Sequence, residues 1–130
     1  MSSIVRKAML GAWILLGMSL ATAGTVNAEN RGQVSFNEDV RPVLQMRCLE
    51  CHSGNGPGVT YSGLNLETYE GLMKGTRFGP IVVPGNSMVS NINVLVEGRA
   101  GIRMPHNRKR LTTCEIAILR DWVNQGARNN

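Results

Sequence analysis

The stretch Cys48-Leu49-Glu50-Cys51-His52 determines most of what this sequence predicts about its fold. It has the Cys-x-x-Cys-His form that is typical of haem c attachment. Two thiols at this spacing, on one irregular turn, can reach the two vinyl groups on one edge of a porphyrin. The histidine that follows supplies an imidazole to the iron. The pattern therefore predicts one covalent haem c at Cys48 and Cys51, with His52 as an axial iron ligand.

Three other interpretations of the cysteines fit less well. A thioredoxin-like pair is typical of a βαβ setting, and no such alternation surrounds the motif. A disulfide framework needs an even number of cysteines, and the chain has three. A zinc site needs four ligands. The four candidate ligands are Cys48, Cys51, His106 and Cys114. The spacing between the two pairs is far longer than in common zinc modules, and a zinc site would give His52 no role.

Residues 1–28 have the pattern of a secretory signal peptide. A basic pair, Arg6 and Lys7, precedes an apolar run and then small residues. We predict cleavage after Ala28, so that residues 29–130 form one domain exported to the periplasm. The alternative is an uncleaved membrane anchor. Gly, Ser and Thr dilute the apolar run, however, and a membrane span needs about 20 strongly apolar residues.

Helical patterns are predicted on both sides of the motif. Ser35-Phe36-Asn37-Glu38 has capping-box form, and Asp39 is an alternative cap for the same helix. Thr112 and Glu115 form a second capping box, which begins a last helix that stops near Gly126. Apolar residues at helical spacing accompany each cap. They are Val40, Val43 and Leu44 in the first helix, and Leu111, Ile118, Leu119, Trp122 and Val123 in the last.

The middle of the chain, residues 53–111, is rich in turns. Residues 53–58 are predicted to be loop, residues 68–74 a short helix ended by Gly75, and residues 87–96 a further helix. Strand signals are weak, and the best of them covers only residues 81–83. A loop-rich middle of this length is uncommon in a compact domain, but a covalent haem would supply the apolar core that the chain lacks.

The iron of such a haem needs a sixth ligand or an open site. Met104 is the best candidate, because the proline after it favours an extended backbone in an irregular segment. His106 is the alternative. Met46 lies too near the attachment turn, while Met73 and Met88 fall in predicted helical segments, where methionine usually fills the core. A thioether opposite an imidazole raises the reduction potential and blocks other ligands, which favours electron transfer.

With these residues, the sequence resembles the planctomycete-type single-haem cytochrome c domains of the class I cytochrome c group. The resemblance implies a small all-α cytochrome c fold, in which N- and C-terminal helices pack around one haem c, with His52 and Met104 as axial ligands. It extends over nearly the whole of residues 29–130. The segments that carry it are Phe36–Leu44, Arg47–His52, Gly63–Leu66, Lys74-Gly75, Val83–Gly85, Ser90, Arg103–Pro105, Leu111-Thr112 and Trp122–Ala127.

Two positions depart from the family pattern. The family usually has a second proline after Met-Pro, where this chain has His106, and a bis-histidine state therefore stays open. Cys114 occupies a position where the family commonly has an ordinary polar residue. We expect Cys114 to be an inert, partly buried helix residue, and an intermolecular disulfide is the alternative.

These features predict an electron carrier rather than an enzyme, acting as a soluble shuttle or as the cytochrome subunit of a redox complex. The alternative is a haem peroxidase or ligand sensor with an open or displaceable sixth site. No nucleic acid is predicted as a partner, since no run of Lys and Arg is interleaved with aromatic residues. No substrate is predicted either, because an electron carrier transforms none. A membrane is predicted only if the leader stays uncleaved. Five basic residues near Met104 favour a solvated face, and a docking surface for an acidic redox partner is the alternative: Arg99, Arg103, Arg108, Lys109 and Arg110.

Overall fold

The computed structural model describes residues 32–130, and these residues contain six α-helices and no β-strand. The prediction of an all-α fold is confirmed. The predicted signal peptide lies outside the described residues. Within residues 32–130, no helix has the length and apolar character needed to cross a membrane. A π-helical turn, Phe36–Val40, leads into α1 (Arg41–Arg47), and the other helices are α2 (Leu49–His52), α3 (Pro57–Ser62), α4 (Tyr69–Lys74), α5 (Asn91–Glu97) and α6 (Thr113–Asn124).

The first helical turn uses both of its candidate caps. The Ser35 hydroxyl accepts a hydrogen bond from the Glu38 amide at 3.2 Å, as the capping-box pattern predicted. The reciprocal bond comes from Asp39, whose carboxylate accepts from the Ser35 amide at 2.8 Å. The wider π-helical turn explains the change of partner, because the Val40 amide bonds to the Ser35 carbonyl five residues back at 3.2 Å.

Helix α6 begins as the sequence predicted. The Thr112 hydroxyl accepts from the Glu115 amide at 3.2 Å, and the Glu115 carboxylate accepts from the Thr112 amide at 2.6 Å. The far end of α6 packs on the first helical turn and on the start of α4 through three aromatic rings. Trp122 is 1% exposed, and its ring centroid lies 5.6 Å from that of Phe36 and 6.4 Å from that of Tyr69. The N- and C-terminal helices therefore pack together, and Trp122 is a core residue.

Two helices of the middle segment differ from the prediction. Helix α5 begins at Asn91 and not at Ser87, because the Ser90 hydroxyl holds the preceding residues in a turn. It accepts from the Val83 amide at 2.8 Å and donates to the Asn86 carbonyl at 2.7 Å. Helix α3 was missed, since residues 53–58 were predicted to be loop. Pro57 stands at its first position, where the missing N–H costs nothing.

The weak strand signal at residues 81–83 was also wrong, because Ile81 and Val82 are buried side chains in an irregular segment. The short helix at residues 68–74 was predicted correctly, with the Thr68 hydroxyl capping it at 3.0 Å and Gly75 ending it at φ +78°. The loop-rich middle thus runs as irregular chain between three short helices, and it forms one wall of a large cavity.

Candidate functional site

The motif residues lie at the break between α1 and α2. Cys48 separates α1 from α2, with φ −125° and ψ −37°. Its amide continues the first helix by donating to the Leu44 carbonyl at 2.8 Å, and its carbonyl begins the second by accepting from the His52 amide at 3.0 Å. Cys51 and His52 therefore follow Cys48 on a single short turn. Both motif cysteines are free and half-buried.

A cavity of about 620 Å³ opens beside this turn. Its wall contains both motif thiols and His52, and the segment across from them contributes Met104 and His106. The structure thus brings together every residue that the sequence predicted for a haem site. Most of the remaining wall is apolar, and it includes Leu44, Leu64, Leu66, Ile81, Ile92, Leu95, Val96 and Leu119.

The His52 ring is oriented by a backbone carbonyl that the sequence did not reveal. Its Nδ1 atom lies 3.1 Å from the Leu64 carbonyl oxygen. A carbonyl only accepts hydrogen bonds, so this contact requires the proton on Nδ1 and leaves the Nε2 lone pair free. Metal-ligating histidines usually have this second contact, which selects the tautomer and fixes the ring. His52 is therefore prepared to ligate through Nε2.

Helix α3 packs closely against the same ring. Gly58 lies so close to His52 that a Cβ atom there would be 2.6 Å from both Nδ1 and Cε1, and 2.8 Å from the Cys51 carbonyl oxygen. Gly56 has a similar restriction, because its Cβ would be 2.5 Å from the same carbonyl. The predicted loop glycines are thus contact positions that let α3 pack directly against the attachment turn.

The Cys48 thiol does not have the character of a redox-active cysteine. Burial raises its pKa to about 11, and the negative charge of Glu115 acts in the same direction, while the Arg47 guanidinium opposes it. The thiol is therefore protonated at neutral pH, whereas disulfide oxidoreductases depend on a lowered cysteine pKa. Both this pKa and the helical surroundings argue against the thioredoxin-like interpretation.

The zinc interpretation is not supported by the geometry. Among residues 32–130, no group of three or more His, Cys, Asp or Glu side chains is close enough to hold a metal ion. Cys114 is exposed in the first turn of α6, so the expectation that it is partly buried was wrong. At the second position of α6 its side chain points away from the apolar stripe that covers the core.

The attachment turn is tied to α6 by an ion pair. The Arg47 guanidinium bonds to both carboxylate oxygens of Glu115, with Nε–Oε1 2.8 Å and Nη2–Oε2 3.2 Å. The same carboxylate caps α6 through Thr112. One side chain thus connects the start of the last helix to the residue before Cys48. Chiefly because of the hydrogen bond from Arg47, the pKa of Glu115 lies below its ordinary value.

We expect the Glu115→Gln variant to have a lower thermal midpoint than the wild type, and the deficit to depend on pH. A carboxylate with a lowered folded-state pKa stabilises the fold above its unfolded pKa of about 4.3, and this contribution is lost as pH falls through the folded pKa. The deficit should therefore be largest near pH 7 and shrink towards about pH 3. Glu70→Gln, which alters an exposed carboxylate in α4, is the control. A deficit of equal size at both pH values would exclude the ion pair as its cause.

The segment that carries Met104 closes the opposite side of the cavity. The Met104 amide donates to the Leu95 carbonyl of α5 at 3.1 Å, and its half-buried side chain packs on the core. The Met104–Pro105 peptide bond is cis. His106 lines the same cavity but is exposed. Arg108 forms an ion pair with Glu50, the third residue of the motif, and so connects this segment to the attachment turn.

These residues fit a haem. A volume of about 620 Å³ is within the range of about 300–1,000 Å³ typical of ligand pockets. The walls are largely apolar, two thiols stand at the edge, and an oriented imidazole has a free Nε2. Cys48 and Cys51 are the residues that could hold the porphyrin, and His52 together with Met104 or His106 could ligate its iron.

An all-helical fold with a Cys-x-x-Cys-His turn on an apolar cavity defines a c-type cytochrome domain. Residues 48–107 match the family model described as Planctomycete cytochrome C. The resemblance predicted from the sequence is thereby confirmed over residues 48–107, and this match supports a haem c protein. The match begins at the attachment cysteine and extends beyond Met104, over a shorter stretch than the resemblance seen in the sequence.

A solved structure supports the fold. A chain of the hydrazine synthase of Kuenenia stuttgartiensis superposes with a TM-score of 0.50 at 23% identity, covering 72% of this chain. This chain spans only 16% of the length of that protein. No curated protein matches the sequence.

Proposed function

We propose that this chain is an exported electron carrier with one haem c, attached through Cys48 and Cys51 and ligated by His52 and Met104. The observation that carries the proposal is the single cavity that both thiols, the His52 imidazole and the Met104 side chain line together. A haem bound there would take up and release one electron at a time. We also propose the periplasm as its compartment, because residues 1–28 have the pattern of a cleaved leader.

The protein's own residues set the conditions for electron transfer. The Leu64 carbonyl and Gly58 hold the His52 ring in one orientation, which reduces the rearrangement that a change of charge at the iron would require. The apolar walls exclude water and lower the local dielectric, and burial of this kind is one of the means by which a protein tunes a haem. A Met104 thioether would complete the coordination and leave no open site for a substrate.

The basic residues near Met104 support an acidic redox partner. Arg99 is paired with Glu97, and Arg108 with Glu50. Lys109 and Arg110 are exposed, and no ion pair within the described part of the chain involves them. They therefore present net positive charge beside the cavity. The likeness in fold to a part of hydrazine synthase supports a role as the cytochrome subunit of a larger redox complex, which is the alternative to a free shuttle.

The absorption spectrum tests the proposal directly. The protein is expressed with its own leader in cells that mature haem c, and spectra are recorded in both oxidation states. We expect a low-spin haem c spectrum, a near-infrared band in the ferric form that reports methionine ligation, and no rapid binding of carbon monoxide to the ferrous form. Fast, tight carbon monoxide binding would instead favour a peroxidase or a ligand sensor. Colourless protein would exclude both functions.

A further inference from the structure

A second, smaller cavity of about 310 Å³ lies beside the haem cavity. The two share Ile102, Pro105 and His106 in their walls, while Met104 lines only the larger one and Arg103 only the smaller one. Neighbouring residues of one segment thus serve different cavities. Nothing in the electron-carrier proposal uses the smaller cavity.

The smaller cavity is lined without any acidic side chain. Its polar side chains are those of Arg103, His106 and Asn107, and small or apolar residues complete the wall. The charge around it is also one-sided, because residues 98–110 contain five Lys and Arg residues and no Asp or Glu. A concave surface lined by one sign of charge concentrates ions of the opposite sign.

Arg103 is the residue in this cavity that needs a partner. Its side chain is half-buried, and its aliphatic part lies over Gly98, where an added Cβ would be 3.3 Å from the Arg103 Cδ. The other arginines of the segment, Arg99 and Arg108, have carboxylate partners. For Arg103 the structure of residues 32–130 gives no hydrogen bond and no ion pair from the guanidinium. A partly desolvated guanidinium with free donors is unfavourable unless an acceptor reaches it.

We propose that this cavity binds a small oxyanion from solution, of the phosphate or carboxylate class, with Arg103 as the residue that recognises it. The guanidinium presents a planar pair of donors that matches two oxygens of one anion. The Asn107 amide and the His106 ring lie on the same wall and supply further donors. The cavity is at the lower end of the size range of small-molecule sites, which suits an inorganic anion or a short carboxylate.

Titration of the ferrous holoprotein with sodium phosphate tests this site, with backbone amide shifts as the readout. Sodium chloride keeps the ionic strength constant, because surface charges respond to salt alone. We expect saturable shifts that are confined to residues 98–107. Arg103→Gln should weaken phosphate binding at least about tenfold, which corresponds to about 1.4 kcal/mol. Arg110→Gln removes the same charge from an exposed position outside the cavity wall, and it should change the affinity less than about twofold.

Two results would overturn the proposal: shifts that do not saturate in the wild type, or an equal loss in the two variants, which would mean diffuse attraction to the basic segment. If Arg103→Gln fails to fold, Arg103→Lys keeps the charge and removes the planar donor pair, and a loss of at least about threefold is then expected. The wall of the smaller cavity contains neither Met104 nor a residue of the attachment motif, so its anion binding can be measured separately from haem attachment. A folded protein without haem would contradict the proposed function, and its phosphate titration would still report on Arg103.

Discussion

The Gly58→Ala variant should lose most of its covalent haem. An alanine Cβ would lie 2.6 Å from two atoms of the His52 ring and 2.8 Å from the Cys51 carbonyl oxygen. Neither the imidazole nor the carbonyl can move freely. The ring is hydrogen-bonded to the Leu64 carbonyl, and the Cys51 carbonyl belongs to the backbone of the attachment turn. Relief of this overlap must displace the imidazole, α3, or both. Overpacking of this kind typically costs about 1–3 kcal/mol.

The measurement is the yield of covalent haem per folded chain, read from haem-stained denaturing gels together with the visible spectrum. We expect this yield to fall to a minor fraction of the wild-type value, because the displaced imidazole and the distorted attachment turn no longer present the iron ligand and the two thiols together. Gly32→Ala is the matched control, because an added Cβ there meets nothing within 4 Å. A Gly58→Ala protein with wild-type haem content and an unchanged spectrum would contradict the close packing of α3 on His52.

The Met104→Ala variant should keep its haem and lose its sixth ligand. Attachment depends on Cys48 and Cys51, which stand on the other side of the cavity. The ferric near-infrared band should disappear, and the ferrous protein should bind carbon monoxide rapidly. The reduction potential should fall by on the order of 0.1 V, because axial ligands alone shift haem potentials over about 0.8 V and methionine raises them.

Met88→Ala is the control for this experiment. Met88 is 66% exposed and does not line the cavity. The near-infrared band and the reduction potential of the Met88→Ala protein should therefore match those of the wild type. The two candidate ligands predict different wild-type spectra, since coordination by His106 produces no methionine band. A Met104→Ala protein that retained the band would exclude Met104 as the ligand.

The parts of the fold that the sequence predicted depend on local patterns. The Thr112 and Glu115 capping box, the short helix ended by Gly75 and the attachment motif are each encoded within a few residues, and each was found where predicted. The start of α5 was misplaced because the Ser90 hydroxyl bonds to Val83, seven residues away. Competition of this kind between a side chain and the helix ladder cannot be read from periodicity.

The parts of the site that the sequence did not predict are contacts between distant residues. The Leu64 carbonyl lies twelve residues from His52, and Glu115 lies 68 residues from Arg47. Glu115 was predicted as a cap, but nothing in its pattern showed that the same carboxylate also holds the residue before Cys48. Gly58 was assigned to a loop. The sequence signal for close packing was the pair of glycines, Gly56 and Gly58, close after the motif. The choice between Met104 and His106 stays a prediction, because both residues line the cavity.

The intact mass of the protein recovered from the periplasm tests the central claim most directly. The protein is expressed with its own leader in cells that mature another c-type cytochrome, and its mass is measured under denaturing conditions, which remove any haem that is not covalently bound. We predict the mass of residues 29–130 plus one haem. The mass of the bare polypeptide, found in cells whose other cytochrome carries its haem, would contradict the account.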